Sequence, residues 1–246
     1  MLHRNIHRKL YEHIEEAIGL RIIKGEYKPK DTIPNEEALC VEFGVSRGVI
    51  REAVKVLHKK GLVWPRPKIG TQVQPKTQWN LFDSDVLIWK LKAGQQLRFL
   101  KQVTEVRTII ESEAAKLSAE RATEEEIIEI KNLCNQLEGI LNDEVKFNYE
   151  MYLQVDMEFH STILETSHNE LLAQIGRTMR AAVQTARQAD IHDIQVILAS
   201  QPFHAAITQA IERKNPDRAY QASLEMFEQV WKNFPENQNG ITNAGK

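Results

Sequence analysis

The stretch that most constrains this 246-residue chain lies at 62–73. Two short β-prone runs, Leu62–Trp64 and Thr71–Val73, flank a basic turn holding Pro65, Arg66, Pro67, Lys68 and Gly70. Proline and glycine between two such runs mark a hairpin. Everything before it reads as helix. Ile6, Leu10, Ile14, Ala17, Ile18, Ile22 and Ile23 recur at helical spacing over 6–24, with Gly25 as the stop and Pro29 in the loop beyond. Asn35 is a candidate N-cap for a second helix through Ala38, Leu39 and Phe43, and Gly44 ends it. Ser46 can cap a third, whose apolar face is Val49, Ile50, Ala53, Val54 and Leu57, with Gly61 at its close. Three helices followed by a hairpin describe a winged helix-turn-helix domain, expected over 1–75.

Charge first speaks against this. The chain carries 32 Lys and Arg against 34 Asp and Glu, a net charge of −2, with no global basic excess. The sum hides two opposed parts. Residues 1–75 hold 14 basic and 9 acidic side chains, an excess of +5; residues 76–246 hold 18 and 25, an excess of −7. A basic segment is joined to an acidic one. No apolar run approaches the roughly 18 residues a membrane span requires. Met1 to Leu10 lacks the apolar stretch of a signal peptide. Cys40 and Cys134 match no metal or disulfide spacing, so a cytoplasmic chain with reduced thiols is expected. Neither a phosphate-cradling glycine loop nor a nucleophile elbow is present in the sequence.

In a helix-turn-helix the second helix of the pair enters the major groove, and its first residues reach base edges. Here that helix opens Ser46, Arg47, Gly48, Val49, Ile50, Arg51. Arg47 and Arg51, four apart, share one face while Val49, Ile50 and Val54 face inward. Arginine donates to guanine O6/N7 and clamps phosphate in a fork. Ser46 can hold a phosphate at the helix start. Arg66 and Lys68 suit backbone or minor-groove contact, and Gly70 supplies a wing conformation that a β-carbon hinders. The alternative is that Arg47 and Arg51 form a solvated face paired with Glu52 or Glu42.

Residues 25–73 resemble the DNA-binding domain of the GntR family of bacterial transcription factors. The resemblance is carried by Gly25, Pro29, Ile33 to Glu36, Leu39, Phe43 to Arg47, Ile50 to Ala53, Leu57, Gly61 to Val63, Gly70 and Thr71. It implies an operator-binding regulator. Lys30, where the family often has Gly, and the proline-rich wing depart from the pattern.

Beyond Pro75 the texture changes. Residues 76–95 read as a linker with a short helix capped near Asp83 or Ser84; 96–234 read as an all-helical bundle, and 235–246 as a disordered polar tail. Helices are expected near 96–121, 123–142, 147–166, 169–189, 193–213 and 215–233. Thr123 to Glu126 form a capping box, and Asn215, Pro216 and Asp217 another start signal. Asp156 and His160 stand four apart on the face shared with Tyr149, Leu153, Ile163 and Leu164. A carboxylate and an imidazole therefore point into the core, where they require partners. They either bond each other or form half of a metal site, which His204 can complete from an amphipathic helix; His192, in a loop, is a weaker candidate. Arg107 lies in the inward stripe of Leu100, Val103, Ile110 and Ala114. It either pairs with Glu111 one turn on or receives a carboxylate ligand.

Residues 97–230 are similar to the helical (FCD-type) effector-binding domain of the FadR branch of that family. The cues are Glu105 to Arg107, Glu111, Ala119 to Arg121, Asp156 and His160, Asn169, His204, Ala210 and Ile211. This implies that Asp156, His160 and His204 hold a divalent metal, zinc above others, that helps bind a carboxylate effector together with Arg107. The family's last histidine aligns with Met226, whose thioether suits such an ion poorly. Residues 79–89 further resemble regulators of sugar-acid catabolism, including the galactonate-responsive type. The expected protein is a homodimeric repressor, not an enzyme, released by an aldonate or uronate. A metal-dependent enzyme built on the same Asp/His cluster is the alternative, although Glu158 and Glu165 fall on the wrong face for a general base. A helical interaction module without ligand is a third reading.

Overall fold

The computed structural model describes residues 2–94, 96–142, 147–190 and 194–232, with side chains except those of 2–9, 96–97 and 181–198. His192 and the tail 235–246 lie outside the described residues. The fold is mainly α, with one two-stranded sheet among the described residues. The chain divides into two compact units, Met1–Leu100 and Lys101–Lys246.

The first unit is a winged helix-turn-helix. Helices α1 (Leu2–Lys24), α2 (Glu36–Phe43) and α3 (Arg47–Lys59) precede strands β1 (Val63–Arg66) and β2 (Gly70–Val73). Asn35 caps α2 through its side chain, accepting from the Ala38 N–H at 2.9 Å, and Gly44 ends it in the left-handed region. The strands pair antiparallel from Val63↔Val73 to Arg66↔Gly70. Pairing starts at Val63 rather than Leu62 because the Leu62 N–H is taken by the Leu57 carbonyl (3.0 Å) as α3 ends. Gly61, at φ 74°, makes that turn; a β-carbon there would lie 2.1 Å from the Gln78 carbonyl oxygen. Lys30 also has positive φ (77°), which accounts physically for a preference for Gly at its position.

The core of this unit joins Ile14, Ile18 and Ile22 of α1 to Ile50, Ala53 and Leu57 of α3. Leu10, assigned by periodicity to the same stripe, is exposed. Trp79, Val86 and Trp89 belong to that core as well, the latter two on α4 (Ser84–Lys92), which Asp83 caps. A buried lysine ties the helices together. Lys60 Nζ lies 3.4 Å from Glu15, 2.8 Å from Asp83 and 2.6 Å from Asp85, and 5.5 Å from the centre of the Trp89 ring.

The second unit is an all-helical bundle of α5 (Gln96–Arg121), α6 (Glu124–Asn142), α7 (Tyr149–Thr166), α8 (Glu170–Asp190), α9 (Ile194–Glu212) and α10 (Pro216–Lys232). The capping box at α6 forms both bonds: Thr123 N–H to Glu126 Oε2 (2.8 Å) and Glu126 N–H to Thr123 Oγ1 (3.3 Å). Asn215 caps α10 through the Arg218 N–H (3.1 Å). Its core holds Ile130, Leu137, Phe159, Ile211 and Phe227, among others, and α7 and α9 both pack on α6. That packing brings the inward faces of α7 and α9 together.

Candidate functional site

Two sites follow from the two units. On the first, α3 buries Val49, Ile50, Ala53 and Leu57, half-buries Val54 and leaves Arg47 and Arg51 exposed. The acids paired with these arginines are not Glu52 and Glu42. Arg51 Nε donates to both oxygens of Glu36 on α2 (3.0 and 2.9 Å), and Arg47 Nη2 lies 3.9 Å from Glu37. Glu42 and Glu52 instead face Arg21 (2.5 Å) and Lys55 (3.6 Å). The Glu36 contact runs through Nε, so it holds Arg51 without consuming the outer edge of the fork. Exposed pairs of this kind contribute roughly 0.2–1 kcal/mol and give way to a phosphate or a base. Ser46 sits at the N-cap position in extended geometry, but its exposed hydroxyl makes no capping bond, contrary to the capping expected of it. Arg66 and Lys68 are exposed at the wing. Gly70 has φ 106°, and Lys68 shares the turn's left-handed geometry at 64°.

In the second unit, Asp156 and His160 on α7 meet His204 on α9. All three are buried, and their candidate ligand atoms lie within 4.8 Å of one another. Asp156 Oδ1 is 3.3 Å from His204 Nε2 and 3.8 Å from His160 Nε2. A tetrahedral ion with bonds of about 2.1 Å sets its donors about 3.4 Å apart, close to these spacings. Neither His204 ring nitrogen has a hydrogen-bond partner among the described residues, although both are buried. A buried ring nitrogen such as Nε2, facing a carboxylate without a hydrogen bond to it, is what a ligand set looks like. The donor set thus fits a divalent ion. Met226 is buried on α10 and offers only its thioether.

Arg107 is buried and paired with Glu111: Nε to Oε1 is 2.7 Å and Nη2 to Oε2 is 3.5 Å. The arginine also lies over the Phe227 ring, 5.3 Å from its centre. Glu111 gathers two more partners. His160 Nδ1 is 3.1 Å from its Oε2, and Arg180 Nη2 of α8 is 3.9 Å away. Burial alone pushes the Glu111 carboxyl up, but the charges of Arg107 and Arg180 and the His160 hydrogen bond outweigh it and hold it well below the usual range. Burial likewise pushes His160 down, against the pull of Glu111 and Asp156. Arg180, which also donates to Ser161 Oγ (2.8 Å) and the Met157 carbonyl, was not singled out from sequence. Its signal was available: a cation on the same inward side of α8 as Ala173, Gly176 and Met179.

These are the parts of a two-domain regulator. Residues 10–73 match the family model described as bacterial regulatory proteins, gntR family, and residues 102–229 match the FCD domain. The chain belongs to the GntR family of bacterial regulators, in the branch that carries an FCD domain, and is a DNA-binding transcriptional regulator rather than an enzyme. It is 32% identical to the galactonate operon transcriptional repressor of Escherichia coli K12, over 86% of this chain and 90% of that protein. It is 28% identical to the HTH-type transcriptional repressor NanR of the same strain, over 94% of this chain and 88% of the other. Among solved structures, Lar of Listeria monocytogenes shares the fold, with a TM-score of 0.59 at 18% identity over 92% of this chain and 97% of that one. No described helix is long and apolar enough to cross a membrane.

Proposed function

We propose that the protein is a cytoplasmic, homodimeric repressor that releases its operator when a sugar acid, an aldonate or uronate, binds the helical unit together with a divalent ion, with zinc the expected ion. Ser46, Arg47, Arg51, Arg66, Lys68 and Gly70 form the DNA-contacting face. Asp156, His160 and His204 hold the ion, and Arg107 serves the effector. Met226 supplies no fourth donor, so the ion keeps a position for the effector. One small head makes few base contacts, and pairing two heads supplies the remaining affinity.

The observation that carries the effector reading is the charge of the buried cluster. Arg107 and Arg180 cancel Glu111 and Asp156, all four being buried. A divalent ion then leaves two positive charges unbalanced in a site of low dielectric, which an anionic ligand neutralises. The similarity to the galactonate operon repressor directs attention to sugar acids among such anions. The test is a thermal-shift screen of the full chain with galactonate, gluconate and glucuronate, with and without zinc. Stabilisation by an acid only when zinc is present supports the reading. No shift from any acid, with or without zinc, contradicts it.

A further inference from the structure

The contact of Glu111 with His160 goes beyond the ligand set. His160 uses its two ring nitrogens in two directions: Nδ1 faces Glu111 Oε2 at 3.1 Å, and Nε2 faces Asp156 Oδ1 at 3.8 Å. Both side chains are buried, so water does not compete for either nitrogen. An ionised carboxylate only accepts hydrogen bonds, and Glu111 is flanked by the guanidinia of Arg107 and Arg180. Nδ1 must therefore carry the imidazole proton. The lone pair is left on Nε2, the nitrogen on the Asp156 side. A neutral imidazole can ligate a metal only through its unprotonated nitrogen, and the bond at the other nitrogen decides which that is.

We infer that Glu111 is the positioning residue of this site: it fixes His160 as the Nδ1–H tautomer and aims Nε2 at the space shared with Asp156 and His204. Arg107 and Arg180 act through it, holding the carboxylate charged and in place from α5 and α8. A glutamine at 111 would reverse the instruction, because its amide can donate to Nδ1 and leave the proton on Nε2. The inference rests on the metal reading above, and two measurements separate the fates of the two.

The first is long-range 1H–15N correlation on the metal-free full chain labelled at histidine, with His160 assigned by comparison with His160→Gln. The second is zinc affinity by competition with a chromogenic chelator. We expect an Nδ1–H tautomer in the wild type. Glu111→Gln should switch it to Nε2–H and lower zinc affinity by about 10- to 100-fold, the usual scale for losing an outer carboxylate. Glu111→Asp, which keeps the charge, should keep the tautomer and lose less. An Nε2–H or doubly protonated His160 in the wild type overturns the assignment whether or not the Gln variant folds. So does zinc affinity that is the same in Glu111→Gln as in the wild type. A wild type that shows the Nδ1–H tautomer but binds no zinc overturns the metal reading instead, and with it the purpose of the positioning.

Discussion

Replacing Lys60 by methionine should cost the DNA-binding unit about 3 kcal/mol at pH 7. Lys60 Nζ is held by three carboxylates, and its pKa is raised from 10.5 to about 12: burial disfavours the charge, but the hydrogen bonds of Asp83 and Asp85 outweigh it. At 1.36 kcal/mol per unit that difference is about 2 kcal/mol. Losing the ammonium also strands Glu15, which is 5% exposed and whose pKa burial already raises. Breaking a buried ion pair costs roughly 3–5 kcal/mol. The lower end applies, because the Asp83 and Asp85 side chains are 25% and 52% exposed and recover water. For a unit of 100 residues, 3 kcal/mol lowers the melting temperature by roughly 12–24 °C. Tryptophan fluorescence is a direct assay, since Trp64, Trp79 and Trp89 lie in this unit and only Trp231 outside it.

The pH dependence has a definite sign. In the wild type the Lys60 contribution is fully present below pH 10.5 and is lost as pH rises through about 12. In the variant, Glu15 has a folded pKa raised further above its unfolded value, a penalty that is relieved as pH falls through that raised value. The gap between the two proteins should therefore narrow from pH 7 towards pH 4.5. Adding Glu15→Gln to Lys60→Met should recover at least half of the loss. A variant within 0.5 kcal/mol of wild type at pH 7, or a gap that ignores pH, would refute the reasoning.

Other outcomes follow from particular residues. Arg51→Ala should weaken binding to a selected duplex by about 1–3 kcal/mol if the side chain reads a guanine, and relax preference at that base, as measured by fluorescence anisotropy on point-substituted duplexes. If the wing meets the DNA backbone rather than the minor groove, Arg66→Ala should weaken all duplexes alike and reduce the salt slope by about one in the same assay. Gly61→Ala combines a left-handed backbone with a β-carbon 2.1 Å from the Gln78 oxygen, and thermal melts should show a loss of about 3 kcal/mol. Lys30→Gly relieves a positive φ and should stabilise by roughly 0.5–1 kcal/mol by the same assay.

What could be read from the sequence was local. The caps at Asn35, Asp83 and Thr123 depend on a few adjacent residues, so composition and spacing reveal them. The wing is written in Pro65, Pro67 and Gly70, and Asp156 and His160 share a face by simple helical spacing. The Glu111–His160 contact was not legible, and for Arg180 only its inward face was, not its partner, because three helices converge there and periodicity gives a face but not the residue opposite. The same holds for Lys60, whose partners come from α1 and the start of α4. Ser46 shows the limit of local signals: the right residue stands at the N-cap, yet its hydroxyl makes no capping bond.

The salt dependence of DNA binding should come from the basic head, since residues 76–246 carry an excess of negative charge. The central claim, that a sugar acid bound in the helical unit controls the head, is tested most directly by one titration. A duplex selected in vitro against the full chain is bound at moderate salt, and galactonate is added with zinc present, with galactose as the neutral control. Coupling of 1–3 kcal/mol predicts that the acid raises the dissociation constant about 5- to 150-fold, that galactose does nothing, and that His204→Ala abolishes the response while binding DNA normally. DNA affinity indifferent to galactonate, gluconate and glucuronate alike would contradict the account.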